Sequence, residues 1–367
     1  MLLWLLNEAQ AVWFRIADSG GRAAFDKVAF RGSLAAGLGL LFSLLLGTWF
    51  IRWFARRLRE PIKSDSAHLR LLHRSKRDTP TMGGLFVMAA ICCALLICAD
   101  PDNRLIQAAL VVAFGLAGVG AIDDLVKIRR SSNGIPPLAK LVAQAGIALI
   151  AAALVYRHHV AVPGGLQCNL PWVGISFSLG AWFLPLAVTV IVGASNAVNL
   201  TDGLDGLAGG CLVLAVGGMA AGAYCTSKVQ WAASMNMPYL PDCAEVLVLA
   251  GAVLGAVLGF LWFNRHPARV FLGDTGSLPL GGLLGLIAVA TRQEFLLVVV
   301  GGVFVAEAAS VILQVGYYKW RRRRIFLCAP LHHHFQFLGW AEGRIVVRFW
   351  MAAALCAVLG LACLKAG

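Results

Sequence analysis

Ten stretches of the chain are apolar for 15 to 25 residues at a time, at about 33–54, 82–99, 105–122, 138–156, 179–198, 206–226, 244–263, 277–291, 295–319 and 345–364. Runs of that length exceed what one face of a soluble fold can bury. As helices, about 20 such residues cross the ~30 Å hydrocarbon layer of a bilayer with every backbone polar group bonded within the helix. The runs are continuous rather than alternating, which excludes a transmembrane β-barrel. Charged residues make up 13% of the chain and hydrophobic ones 59%, against about 25% charged in an ordinary soluble domain. A cytosolic globular enzyme, a disordered chain and a disulfide-rich secreted module are all excluded. The expected fold is an all-α integral membrane protein with ten transmembrane helices. Residues 1–367 form a single polytopic membrane domain, with 1–32 as an interfacial N-terminal segment. The apolar start Met1–Leu6 ends at Asn7 and Glu8 and lacks the basic lead of a signal peptide. The eighth run is short, and its Gly281, Gly282 and Gly285 point to close helix contacts.

The net charge of +13 then sets an expected orientation. Loops after the odd helices, helix ends included, carry 21 Lys and Arg, and the four alternate loops carry only Arg104, Arg157, Lys228 and Arg292. Positive charge collects on the cytoplasmic side. Both termini are therefore expected to be periplasmic. Among the outer loops, 157–178 holds Pro163-Gly164-Gly165 and Pro171, a hairpin-like pattern. The ten cysteines form no CxxC pair. Cys168 and Cys243 fall in outer loops, where a disulfide could form.

Acids at a membrane edge are costly and usually functional. Asp123, Asp124, Asp202, Asp205 and Asp274 fall at predicted helix ends on the cytoplasmic side, after helices three, five and seven. Any one of them could simply cap a helix. Five at one depth, without thiolates or paired histidines, favour a hard divalent cation such as Mg²⁺ and a phosphorylated substrate. Two adjacent carboxylates at 123 and 124 repel unless a cation intervenes, and Lys127, Arg129, Arg130 and Lys140 are near in sequence. The segment 193–206 offers Asn196, Asn199, Asp202, Gly203, Leu204 and Asp205 with no basic residue. Amide side chains both donate and accept, and glycine lets a backbone approach a flat ligand, a combination suited to a nucleobase or sugar. Asn264 and Phe271 precede Asp274, which stands before Thr275 and Ser277 as at a helix N-terminus, a ready anion site. Lys76 and Thr81 enter the second helix, whose first amides could hold phosphate oxygens. His332, His333 and His334 are consecutive. Neighbours on a helix point apart, so the three cannot share one metal; donation to phosphate or sugar oxygens suits them better. The run Arg321–Arg324 reads as topological or lipid-facing.

Thr79-Pro80-Thr81-Met82-Gly83-Gly84, the segment from Asn196 to Ala208, Pro330-Leu331-His332-His333-His334-Phe335 and Val346-Val347-Arg348-Phe349-Trp350 together resemble the polyprenyl-phosphate N-acetylhexosamine 1-phosphate transferases, in particular the phospho-N-acetylmuramoyl-pentapeptide transferase branch. The resemblance runs from about Lys63 to the C-terminus. Asp78 departs from it, standing where the family usually has Gly. The resemblance implies a ten-helix, dimeric, Mg²⁺-dependent enzyme of the bacterial inner membrane. Such an enzyme moves phospho-MurNAc-pentapeptide from its UDP carrier to undecaprenyl phosphate, giving lipid I and UMP. It places catalysis on Asp123, Asp124 and Asp274, with Asp274 as the Mg²⁺ ligand. It places substrate contacts on Lys76, Thr81, Lys140, Asn196, Asn199, Asp202, Gly203, Leu204, Asp205, Asn264, Phe271, His332, His333 and His334. Two rivals stand beside it. A sibling transferring GlcNAc-1-phosphate is disfavoured by the Thr-Pro-Thr-Met-Gly-Gly and Pro-Leu-His-His-His-Phe pieces. A secondary transporter should hold its acids at mid-membrane in repeated halves, and no repeat is visible.

Overall fold

The computed structural model describes residues 27–54, 79–130, 134–170, 175–235 and 237–365. Lys76 and Asp78 lie outside these residues. Helices cover each of the ten apolar stretches. They are α1 (Lys27–Phe54), α2 (Gly84–Cys98), α3 (Arg104–Arg130), α4 (Pro137–His159), α5 (Phe183–Thr201), α6 (Leu207–Thr226), α8 (Cys243–Asn264), α9 (Asp274–Ala290), the pair α10 (Glu294–Val300) and α11 (Gly302–Arg321), and α13 (Glu342–Lys365). Two short helices, α7 (Val229–Ser234) and α12 (Leu331–Phe337), lie in connections. The expected hairpin is present as β1 (Gln167–Leu170) and β2 (Ile175–Ser178), paired antiparallel with Cys168 opposite Phe177.

Seven of the described helices are long and apolar enough to cross a membrane, and α10 with α11 makes an eighth if the pair is one span. α2 and α9 are apolar but shorter. The ninth predicted run is not one straight helix. It breaks at Gly301 and turns by 85°. The Gly301-Gly302 pair removes the side chains that would resist such a turn. Two expected boundaries also move. α1 starts at Lys27, inside the segment expected to be interfacial, and α3 continues past Asp123 and Asp124 to Arg130. Nothing between 120 and 130 breaks a helix, and Lys127 pairs with Asp123 one turn away.

All 17 residues of α9 are buried. A helix apolar on every side belongs at the centre of a bundle. α9 packs against α5 and α3, with α2 and α8 nearby. Small residues let the backbones meet. A Cβ on Gly84 would strike the Gly276 backbone, and one on Gly120 would strike the Asp274 carbonyl. α1 and α8 form a second tight seam, where side chains on Gly251 and Gly255 would run into the Gly32 and Ala36 carbonyls. Around this core, Trp49, Trp53, Phe114, Leu149, Trp182, Ile312 and Leu355 are exposed, as a lipid-facing surface requires.

Cys243 is a buried free thiol whose Sγ–H donates to the Ala290 carbonyl at 3.4 Å. The disulfide to Cys168 is therefore not formed. Cys243 opens the first turn of α8 and is turned into the core.

Candidate active site

At one end of the bundle, the last turns of α3, α5 and α8 meet the first turn of α9. Asp123, Asp124 and Asp274 come together there, with one oxygen of each within 4.8 Å of the others. All three are buried. Two ammonium groups hold them. Lys127 Nζ is 2.9 Å from Asp123 Oδ2, 3.2 Å from Asp274 Oδ1 and 3.9 Å from Asp124 Oδ1. Lys140, from the first turn of α4, pairs with Asp274 Oδ2 and lies 3.7 Å from Asp123 Oδ2. Asp123 also accepts the Ile135 amide at 2.8 Å. The repulsion expected of the adjacent pair is thus relieved by Lys127 and Lys140.

The three carboxylates are not equivalent. Asp124 accepts the Asp274 amide at 3.1 Å, the Thr275 amide at 2.9 Å and the Thr275 hydroxyl at 2.7 Å. It caps α9 from a different helix, satisfying the orphan donors of that terminus. Asp274 accepts from Asn199 Nδ2 at 2.9 Å, and the same amide donates to Ser277 Oγ at 2.8 Å. Asp274 therefore faces the cavity, Asp123 is held by the two lysines and the Ile135 amide, and Asp124 is tied into the start of α9.

Two sequence expectations are corrected here. The start of α9 is not an open anion site. Its first two amides go to Asp124, and those of Gly276 and Ser277 go to the Gly273 carbonyl. The start of α2 is closed too. Gly83 and Gly84 donate to the Phe271 and Leu272 carbonyls at 2.8 and 2.9 Å, Phe271 donates to Pro80, and Leu85 donates to Met82. These bonds stitch 80–84 to 271–272 as a short bridge and leave the Thr81 side chain, not amides, to the pocket.

A cavity of about 290 Å³ opens beside the acids, lined by Thr81, Lys127, Asn199, Asp202, Gly203, Leu204, Asp205, Asn264, Phe271, Gly273 and Asp274. Nine of these were singled out from the sequence. Lys127 was named only as a cation able to neutralise Asp123 and Asp124, and Gly273 was not singled out. Several expected contacts sit elsewhere. Asn196 faces Gln144, donating to its Oε1 at 2.7 Å. Asn264 does line the cavity, and its amide also holds two loops together, accepting from Gly206 N and donating to the Val270 carbonyl. The three histidines diverge as helical neighbours must, and none lines the cavity. His332 is buried behind Gly203, His333 Nδ1 is 2.7 Å from Gln336 Oε1, and His334 Nδ1 accepts the Leu327 amide.

The pocket's far wall is fixed by charge. Asp205 Oδ2 accepts the Ala268 amide at 3.0 Å and lies 3.1 Å from His266 Nδ1, while the Asp205 amide donates to Glu342 Oε1. His266 and Glu342 were missed by sequence reasoning, because neither motif nor spacing linked positions 205, 266 and 342. Asp202 sits between the two acid groups. Burial, then the nearby Asp274, Asp124 and Asp205, push its carboxyl up to about 8, with Lys127 pulling the other way. It is protonated at neutral pH and can donate as well as accept.

A pocket with this mixture of acids, amides, one aromatic and one lysine fits a phosphorylated polar ligand bound near the membrane. Residues 106–292, more than half of the chain, match the model of glycosyl transferase family 4. The chain belongs to that family. Residues 76–86 match signature 1 of phospho-N-acetylmuramoyl-pentapeptide-transferase. The protein is thus a polyprenyl-phosphate hexosamine-1-phosphate transferase of that type, a multi-pass membrane enzyme acting on a nucleotide sugar and a polyprenyl phosphate. The family match contains α4, α5, α8 and α9 in full and all of α3 but its first two residues, the helices that bring the acids and lysines together. The described part of the signature, Thr79 to Phe86, forms the bridge to 271–272.

Proposed function

We propose that the protein transfers phospho-MurNAc-pentapeptide from UDP-MurNAc-pentapeptide to undecaprenyl phosphate, releasing UMP and forming lipid I. The observation that carries this reading is the single pocket that joins the amide- and glycine-rich segment 199–205 to the Asp123–Asp274–Lys127–Lys140 cluster, beside the signature bridge. The enzyme would sit in the bacterial inner membrane with ten crossings, both termini periplasmic and the pocket on the cytoplasmic face, as a homodimer.

The residues suit the reaction. One pyrophosphate linkage is broken and another made, so the main obstacle is bringing two anions together. The acceptor, a phosphate monoester with a second pKa near ~6, is largely dianionic at neutral pH and needs no strong base. Lys127 and Lys140 screen the approaching phosphates. Gly203 and Leu204 would receive the uracil face, Phe271 would stack on it, and Asp202 and Asn199 would read polar edges. Thr81 and Lys76 would meet phosphate oxygens. Asp123 would position the attacking lipid phosphate for direct displacement.

The donor set fits Mg²⁺: hard oxygens, no thiolate, and two carboxylates, Asp274 and Asp123, from different helices and not engaged in capping α9. Asp124 is the poorest ligand, since both of its oxygens serve α9. When bound, the ion would neutralise charge on the pyrophosphate. The three histidines were expected to touch substrate; from their places here, His332 would act from behind the pocket wall.

The test is UMP release by purified protein in detergent, with undecaprenyl phosphate and UDP-MurNAc-pentapeptide, with and without Mg²⁺. Mg²⁺-dependent release with this donor but not with UDP-GlcNAc is expected, and Asp274→Asn should abolish it. Release with UDP-GlcNAc alone would move the protein to the sibling activity.

A further inference from the structure

Gly203, on the pocket wall, is backed by a buried pair that does not itself line the pocket. His332 opens α12 and is 1% exposed. Its ring occupies the place a side chain on Gly203 would take, since a Cβ there would strike Nε2. On the ring's other side stands Glu307 of α11, wholly buried. Glu307 Oε1 accepts the His332 amide at 3.2 Å and lies 3.3 Å from Nδ1. Neither ring nitrogen makes a hydrogen bond among the described residues, and neither does Glu307 Oε2. Each group is therefore compensated chiefly by the other, in a region where an unpaired charge is costly. A carboxylate beside one imidazole nitrogen orients the ring and determines what the other nitrogen presents. α11 also has a second face. Phe304, Val305 and Ala308, flanking Glu307, line an apolar groove shared with α5.

We propose that Glu307 is a positioning residue for the nucleotide pocket: through His332 it holds the Gly203 backbone where a flat ligand must rest. The inference rests on the nucleotide reading given above. Glycine at 203 is then required twice, for ligand approach on one side and for the His332 ring on the other. Glu307 touches no substrate, so its effect falls on donor binding rather than on the reacting phosphates.

The experiment uses the full-length protein in detergent and UMP as probe. Glu307→Gln keeps the shape and the acceptor for the His332 amide but removes the charge. UMP affinity by calorimetry is expected to fall about tenfold. KM for the donor should rise with KM for the lipid acceptor unchanged, and Glu307→Asp should recover part of the loss. The ring nitrogens of His332, observed by ¹⁵N NMR, should shift in Glu307→Gln. Gly203→Ala, which displaces the ring from the opposite side, should weaken UMP binding likewise, and it carries the test if the Gln variant does not fold. A Glu307→Gln protein that melts earlier yet binds UMP as the parent does would make the pair a structural strut and overturn the proposal. If the parent binds no uridine nucleotide, the nucleotide reading falls with it. Unchanged His332 signals in Glu307→Gln would separately overturn the pairing.

Discussion

Asp124 and Asp123 are neighbours in sequence and opposites in role. Asp124 spends both oxygens on the α9 amides and Thr275, and Asp123 faces Lys127 and Lys140. Asp124→Ala should therefore destabilise the fold by about 1–2 kcal/mol, the usual scale of a lost helix cap, as well as lower activity. Asp123→Asn should lower activity with the melting temperature little changed. Thermal melts in detergent, run beside the UMP-release assay, separate the two. Asp202 gives a pH prediction. With its carboxyl raised to about 8, the folded chain holds a proton that the unfolded chain has lost. That contribution to stability is full below the ordinary carboxylate range and drains away as pH climbs toward 8. The same ionisation adds a negative charge beside Asp274 and Asp205. UMP binding without metal should weaken between pH 7 and 9.5, and Asp202→Asn should flatten the dependence; an unchanged slope in that variant would refute the assignment. The tenancy of these carboxyls was only half legible in the sequence. Acids at one depth were visible, but not which oxygens face a helix end and which face the cavity.

At the level of elements, α9 is the part on which the site is hung. Its buried length packs on α3 and α5 through glycines whose replacement has nowhere to go. Gly120→Ala would press a methyl on the Asp274 carbonyl, and Gly84→Ala one on the Gly276 backbone. Overpacking of this kind costs about 1–3 kcal/mol. Because Gly120 meets the residue that carries the cluster, Gly120→Ala is expected to lose most transfer activity at a temperature where it remains folded. Gly118→Ala, with open space around its Cβ, is the control and should be near parental in both assays. Helix positions were readable from hydropathy to within a few residues. The break at Gly301 and the run-on of α3 to Arg130 were not, since a glycine pair marks a place that can bend without saying that neighbours require it.

For the molecule as a whole, the polar pocket and the hairpin lie at opposite ends of the helices. α9 runs between them, from Asp274 in the pocket to Ala290 near the loop that holds Arg292, which donates to the Gln167 carbonyl. We propose, from the charge asymmetry, that the pocket end faces the cytoplasm. Single cysteines at Arg323 and Ser178, in a background freed of reactive thiols, should be labelled by an impermeant maleimide from opposite sides of sealed vesicles. Labelling of both from one side would refute the topology. The two cavities also differ in character: the pocket beside the acids is polar, and the groove between α5 and α11 is apolar.

The sequence alone settled the class of solvent. Hydropathy is a local sum over contiguous residues, so runs of apolar side chains predict helices in a bilayer without knowledge of their neighbours. It also carried the family, because Thr79–Gly84, Asn196–Ala208 and Pro330–Phe335 are contiguous words. Only the tertiary structure decided that the amides at the starts of α2 and α9 are taken, that Lys127 and Lys140 share one set of acids, that Asn196 turns to Gln144 while Asn199 turns to Asp274, and that His332 stands behind Gly203. These facts join positions up to 188 residues apart. They depend on how each helix is rotated about its axis when it packs, and that rotation is fixed by side-chain fit across the whole bundle rather than by any local stretch of chain.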